Sequence, residues 1–298
     1  MTVSAAHRAF VENCRDILSR QDDVRINDAA IEAYAGQLKS SGFIPDWKEY
    51  ISAAANSRAD YDFKRVFYEM AMVVANQGGF IYADADGCAQ KWHLGGSGAR
   101  AMVAKMAEIR AAGALLLDGV PFAEERLVIF EAFADAARYA QVAALLDDAY
   151  DGGPYVLDMA FAQRLAQAMP ESFGNDPFLK KAILTVLMAA GNAHSHSIHA
   201  DISDLTVAAD YILPQVLNAD HIGILSFSPV LEEKLSCRHL FRENAQEVTA
   251  LRAAAVVACE RLAELSGLTA REIDGHLWLA GRKLQNARPH MMCLTMQF

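Results

Sequence analysis

The chain has 298 residues, 53% hydrophobic and 21% charged, enough apolar material for a large buried core, which excludes a disordered or fibrous protein. Lysine and arginine number 27 against 37 aspartate and glutamate, and the formal net charge of −10 repels polyanions, so duplex nucleic acid is not an expected partner. Five cysteines, Cys14, Cys88, Cys237, Cys259 and Cys293, are odd in number and never spaced as CxxC, which argues against a disulfide framework or a thiolate zinc site.

The opening MTVSAAHRAFVENCRDIL is interrupted by Arg8, Glu12 and Asp16, unlike a secretory leader. No stretch approaches the roughly 20 apolar residues that span a bilayer. A soluble cytoplasmic protein with reduced thiols and no membrane partner is expected; its oligomeric state is not legible.

Eight prolines and 18 glycines fit helices joined by short loops, so the fold is expected to be mostly α. In chain order, Arg65 to Ala75 is apolar around most of its circumference and predicts a helix buried on several sides, stopped by Gly78 and Gly79. Phe80 to Leu94 holds two short apolar runs around Asp84-Ala85-Asp86-Gly87, the one convincing strand signal, and predicts a small β-hairpin. Gly95-Gly96 and the N-cap Ser97 then lead into a helix over Ala101 to Ala112, with Met102, Met106 and Ile109 as core filler and Gly113 as its stop.

Helical spacing recurs from Phe122 to Tyr150, ended by Asp151-Gly152-Gly153-Pro154. Further helices are expected over Phe178 to Ala190, Leu205 to Leu217, Glu247 to Leu265 and Glu272 to Leu284. With no internal repeat and no long linker, residues 1–298 are expected to form a single compact domain, or two lobes of about 1–150 and 151–298 sharing a cleft.

The sharpest local feature is Thr269-Ala270-Arg271-Glu272, a capping box. It places Asp274 in the first turns of a helix, where the macrodipole favours an ionised carboxylate, with Trp278 one turn further on. Ile273, Leu277, Ala280 and Leu284 form the adjoining apolar stripe. A second acid, Asp210, interrupts the apolar run Val207, Tyr211 and Leu213, and an acid in that setting needs a partner. Pro214 is expected to kink or start a helix there.

His194, His196 and His199 do not converge on one helix face, and no HExxH accompanies them, so no metal is expected. Gly95-Gly96-Ser97-Gly98 lacks the phosphate-loop and dinucleotide patterns and reads as a helix-entry loop. Arg282, Lys283, Arg288 and His290 form the densest late basic cluster. No GxSxG is present.

The tail Ile273-Asp274-Gly275-His276-Leu277-Trp278, followed by Pro289-His290, resembles the D-x-x-L-W and P-x-H ending of queuosine salvage proteins. Val24-Arg25-Ile26-Asn27, Ser97-Gly98, Phe178-Leu179-Lys180-Lys181-Ala182, Leu205-Thr206 with Ala209-Asp210-Tyr211-Ile212-Leu213-Pro214-Gln215, and Gln246 to Arg252 match further motifs in the same order. The resemblance implies a helical fold related to helix-hairpin-helix DNA glycosylases. It also implies hydrolysis of the N-glycosidic bond of queuosine 5′-phosphate, releasing queuine for tRNA modification, with no cofactor.

Residue by residue, the resemblance implies Asp274 and Asp210 as the catalytic acids. Tyr211, Gln215 and Trp278 are then expected around the base, and Lys181, Arg282 or His290 at the 5′-phosphate. Ala208 and Ile212 stand where the family has an aromatic and an arginine. Gln77-Gly78-Gly79-Phe80 replaces its L-N-F-x segment, and Leu279 stands where some members carry an acid. These departures open a second reading, a helical module that binds a modified nucleoside or tRNA end without cleaving it. A DNA-repair glycosylase is disfavoured by the charge.

Overall fold

The structure, a computed structural model, describes residues 3–41, 61–92, 120–284 and 288–298. Among them are twelve helices and only short strand pairs, so the mostly α expectation holds. The helix expected at 101–112, with its Gly95 to Ser97 entry and Gly113 stop, lies outside the described residues. The chain divides into two compact units, Met1–Asp46 with Ser203–Leu294, and Trp47–Ile202 with Thr295–Phe298.

In the first unit the Gln246–Ser266 helix is buried on nearly every side. Ala250, Ala253, Ala254, Ala255 and Ala258 leave it thin enough for the Ala5–Ser19, Asp28–Ser41, Ile212–Leu217 and Ala270–Lys283 helices to pack around it. It ends at Gly267, whose φ of +78° is a left-handed cap. Two short ribbons complete the unit: Val24–Ile26 runs antiparallel to Leu225–Phe227, and Leu240–Arg242 runs parallel to Met292–Leu294.

In the second unit the Phe63–Ala75 helix buries Phe63, Val66, Phe67, Ala71 and Val74, as its apolar circumference predicts, and packs on the Lys180–Ser195 helix. The hairpin forms with Ile81–Ala83 against Ala89–Lys91. The expected 122–150 stretch is two helices, Ala123–Ala134 and Ala136–Asp148, broken where the Asp135 side chain accepts from the Ala137 N–H and caps the second. Gly78 and Gly79 have φ of +127° and +64°; a Cβ on Gly78 would lie 2.6 Å from the Met296 carbonyl oxygen and one on Gly79 would be 2.8 Å from Phe122. Glycine at both positions is therefore required by the local backbone and packing.

Three sequence expectations need correction. Residues 205–211 are not helical, and only Ile212–Leu217 is, with Pro214 in the first turn, where a missing N–H breaks no helix bond. The 178–190 helix begins later and runs on as Lys180–Ser195, because Asp176 accepts from the Phe178 and Lys180 N–H groups at 3.1 and 2.8 Å and Leu179 turns left-handed at φ 53°. The hairpin is not the sole strand pair among the described residues: other two- and three-residue strands pair separately from it, too short to leave a period-2 pattern.

Gly281 lets the Ala270–Lys283 helix meet the Ile212–Leu217 helix. A Cβ there would sit 2.6 Å from Ile212 Cγ2 and 2.7 Å from Val216 Cγ2, both on β-branched side chains that cannot swing away. Overpacking costs about 1–3 kcal/mol, against the roughly 1 kcal/mol that alanine gains over glycine in a helix. Gly281→Ala is expected to lower the unfolding free energy by about 1 kcal/mol in chemical denaturation.

Candidate functional site

The Ala270–Lys283 helix starts on the capping box read from the sequence: the Thr269 N–H donates to Glu272 Oε2 at 2.8 Å, and the Glu272 N–H donates to Thr269 Oγ1 at 3.3 Å. Ile273 and Leu277 are fully buried and seat the helix. Asp274, one residue after Ile273, is only 4% exposed, and its Oδ2 accepts from the buried Ala208 N–H at 2.9 Å. Trp278 and Arg282 follow at i+4 and i+8 on the same side, with the Arg282 guanidinium 5.1 Å over the indole centroid. Carboxylate, indole and guanidinium thus succeed one another along one helix face.

The segment that donates to Asp274 is held from several directions. Arg252 Nε donates to the Ala209 carbonyl oxygen at 2.9 Å, and the Thr206 hydroxyl donates to Glu260. Asp210 has the partner its setting demands, accepting from the Ile212 N–H at 2.7 Å. Arg252 and Glu260 were not singled out from the sequence as site residues. Their signal is that they flank the uncharged run Ala253 to Cys259 in that helix.

A second grouping lies on the other side of the Ile212–Leu217 helix. Ile212 and Val216 face Gly281, whereas Tyr211, Pro214, Gln215 and Asn218 line a small cavity with Phe227 and His290. Tyr211 and His290 stack with centroids 4.4 Å apart, and burial pushes the Tyr211 phenol up to about 12. His290 Nδ1 lies 2.8 Å from the Met291 carbonyl oxygen, and Gln215 Nε2 donates to the Arg288 carbonyl oxygen at 2.6 Å. Arg288 pairs with Asp220 at 2.8 Å and Glu232 at 3.4 Å, so its charge is already met by carboxylates.

Of the expected site residues, the structure therefore groups Asp274, Trp278 and Arg282 on one helix, and Tyr211, Gln215 and His290 around the cavity, with Asp210 beside Tyr211. Lys181 belongs to the second unit, where it is buried and its Nζ donates to the Ala75 carbonyl oxygen. His194 ends a helix, while His196 stacks on Tyr61 at 3.9 Å. Among the described residues no group of three or more His, Cys, Asp or Glu is placed to hold a metal, and no helix is long and apolar enough to cross a membrane.

Asp274 separates charge from hydrogen bonding. Asp274→Asn keeps an oxygen for the Ala208 N–H, whereas Asp274→Leu leaves that buried donor unpaired, at a cost of about 1–3 kcal/mol. Thermal unfolding is expected to place the Asn variant near wild type and the Leu variant well below it.

Residues 175–296 match the family model described as queuosine salvage protein. A stretch of 114 residues is 32% identical to the queuosine 5′-phosphate N-glycosylase/hydrolase of Sphaerobacter thermophilus, covering 36% of this chain and 35% of that protein. The match spans about a third of the relative's length. Residues 175–296 are thus similar to the queuosine salvage family. Asp210, Asp274 and every other expected site residue fall within those bounds, whereas the early motifs at Val24 to Asn27, Gln77 to Tyr82 and Ser97-Gly98 lie outside them.

Proposed function

We propose that the chain hydrolyses the N-glycosidic bond of queuosine 5′-phosphate, or of a closely related 7-deazaguanine nucleotide, and releases the base. The observation that carries this reading is Asp274, a buried carboxylate near the start of a capped helix, oriented by a backbone N–H and followed by an indole and a guanidinium on the same face. The relative's name supplies the reaction and the substrate class, and the family match spans these residues.

Cleavage of an N-glycoside passes through an oxocarbenium-like state in which positive charge develops on the sugar. A fixed carboxylate in a water-poor site stabilises that charge or attacks the anomeric carbon without reorganising. Asp274 takes that role in this reading. A 7-deazaguanine has carbon where a purine is protonated at N7, so its departure must be assisted at other edges; Asp210 accepts from the guanine-like N–H groups. Trp278, on the Asp274 helix face, stacks on the base and Arg282 meets the phosphate, whereas Tyr211, Gln215 and His290 line the cavity on the other side of the Ile212–Leu217 helix.

The test is incubation of the purified protein with queuosine 5′-phosphate, queuosine and guanosine monophosphate, with released base read by mass spectrometry. Base release from the first is expected, falling about 100-fold or more in Asp274→Asn, which cannot supply the negative charge. Arg282→Met is expected to raise KM for the phosphorylated substrate and leave the nucleoside unaffected. Tight uptake with no free base would replace hydrolysis by a binding role, and undiminished release by Asp274→Asn would remove Asp274 from the mechanism.

A further inference from the structure

The Ala5–Ser19 helix carries a histidine on its buried face. His7 is 4% exposed, and its two ring nitrogens face two different oxygens. Nδ1 lies 2.7 Å from the Asp204 carbonyl oxygen and Nε2 lies 3.0 Å from Glu260 Oε2. A carbonyl oxygen and a carboxylate oxygen both accept, so the ring satisfies both contacts only by donating at both nitrogens, which makes it an imidazolium. We propose that His7 is a positioning residue for the glycosidic-bond chemistry: as a cation it fixes Asp204 and Glu260, and through them the segment whose Ala208 N–H orients Asp274. The inference rests on the reading of Asp274 as the reacting carboxylate.

The linkage is continuous. The Ser4 N–H donates to Asp204 Oδ1 at 2.7 Å, so the start of the N-terminal helix holds Asp204 by its side chain while His7 holds it by its backbone. Glu260 receives His7 on one oxygen and the Thr206 hydroxyl on the other. Two residues after Thr206 is Ala208, whose N–H reaches Asp274 at 2.9 Å, and the next carbonyl, that of Ala209, is held by Arg252. Removing the imidazolium would leave the half-buried Glu260 carboxylate without the cation that faces it, free to move away from Thr206.

The charges around His7 agree with this. Burial alone lowers its pKa, but the Glu260 hydrogen bond and charge, followed by the contacts with Asp204, outweigh that and raise it above the ordinary 6.5. On the same helix, burial pushes the Cys14 thiol up to about 12, so it stays neutral beside Arg252 and Glu260. A histidine raised in the folded state stabilises the fold fully below pH about 6.5, and this contribution is lost as pH rises through its folded value.

The experiment uses full-length wild type, His7→Asn and Thr206→Val, with nucleotide hydrolysis followed against pH and the histidine ring read by 15N NMR. The expected NMR result is a doubly protonated His7 ring at pH 6.5. His7→Asn is expected to lower kcat about tenfold or more while KM stays within about twofold, as for misplacement of a reacting group. The wild-type fall of kcat, with pH rising through the His7 titration, should be absent in this variant. Thr206→Val keeps the histidine, removes only the hydroxyl link and should lower kcat in the same direction, so it carries the test if His7→Asn does not fold.

A neutral His7 ring at pH 6.5, or unchanged kcat in folded His7→Asn with wild type active, overturns the positioning role and leaves the hydrolase reading intact. Absence of base release by wild type overturns both. The two failures are thereby distinguished.

Discussion

The first unit depends on the satisfaction of one buried, non-helical stretch of backbone. Residues 205–211 run through the interior without forming a helix, so their polar groups must find partners elsewhere. Some of those partners are charged side chains brought in by neighbouring helices: Arg252 for the Ala209 carbonyl, Asp274 for the Ala208 N–H, and Glu260 for the Thr206 hydroxyl. Desolvating such groups is expensive, and apolar replacements often stabilise a core as well or better. Their contribution here is geometric: three charged side chains define one path for the segment, and that path sets the Asp274 carboxylate.

The second unit applies a similar device at a helix end. The Phe63–Ala75 helix leaves terminal carbonyls without intrahelical partners. Lys181 donates to the carbonyl of Ala75, and Arg126, fully buried, donates to those of Asn76 and Gly78 at 2.7 Å each and of Pro121 at 2.9 Å. Two cations at a helix C-terminus also meet the negative end of its dipole. Burial lowers the Arg126 pKa to about 10, still far above neutrality, so the guanidinium remains charged among these carbonyls. The glycine pair at 78 and 79 lets the chain pass close to Met296 and this cation.

What was legible in the sequence followed from short-range physics. The capping box, the apolar circumference of 65–75 and the Asp84 to Gly87 turn are all decided within a few residues, and all appear in the structure. Asp274 and Trp278 were legible for the same reason, because their positions follow from one helix start. The helix expected over 205–217 failed in its first half because what holds Ala208 and Ala209 out of a helix is contributed by Asp274 and Arg252, 66 and 43 residues away.

The two acids singled out from the sequence are fixed by opposite means. Asp210 accepts from the N–H of Ile212, two residues on, and this bond is made by the local turn that starts the following short helix. Asp274 accepts from a residue 66 positions earlier, so its orientation exists only when the Ala270–Lys283 helix and the 204–210 segment are both in place. The same difference separates the two groupings around them. Tyr211 and Gln215 travel with the short helix that Asp210 starts, whereas Trp278 and Arg282 travel with the helix that bears Asp274. Gly281 sets how closely those two helices approach, through Ile212 and Val216. Ile212 is thus part of the contact that spaces the two acids.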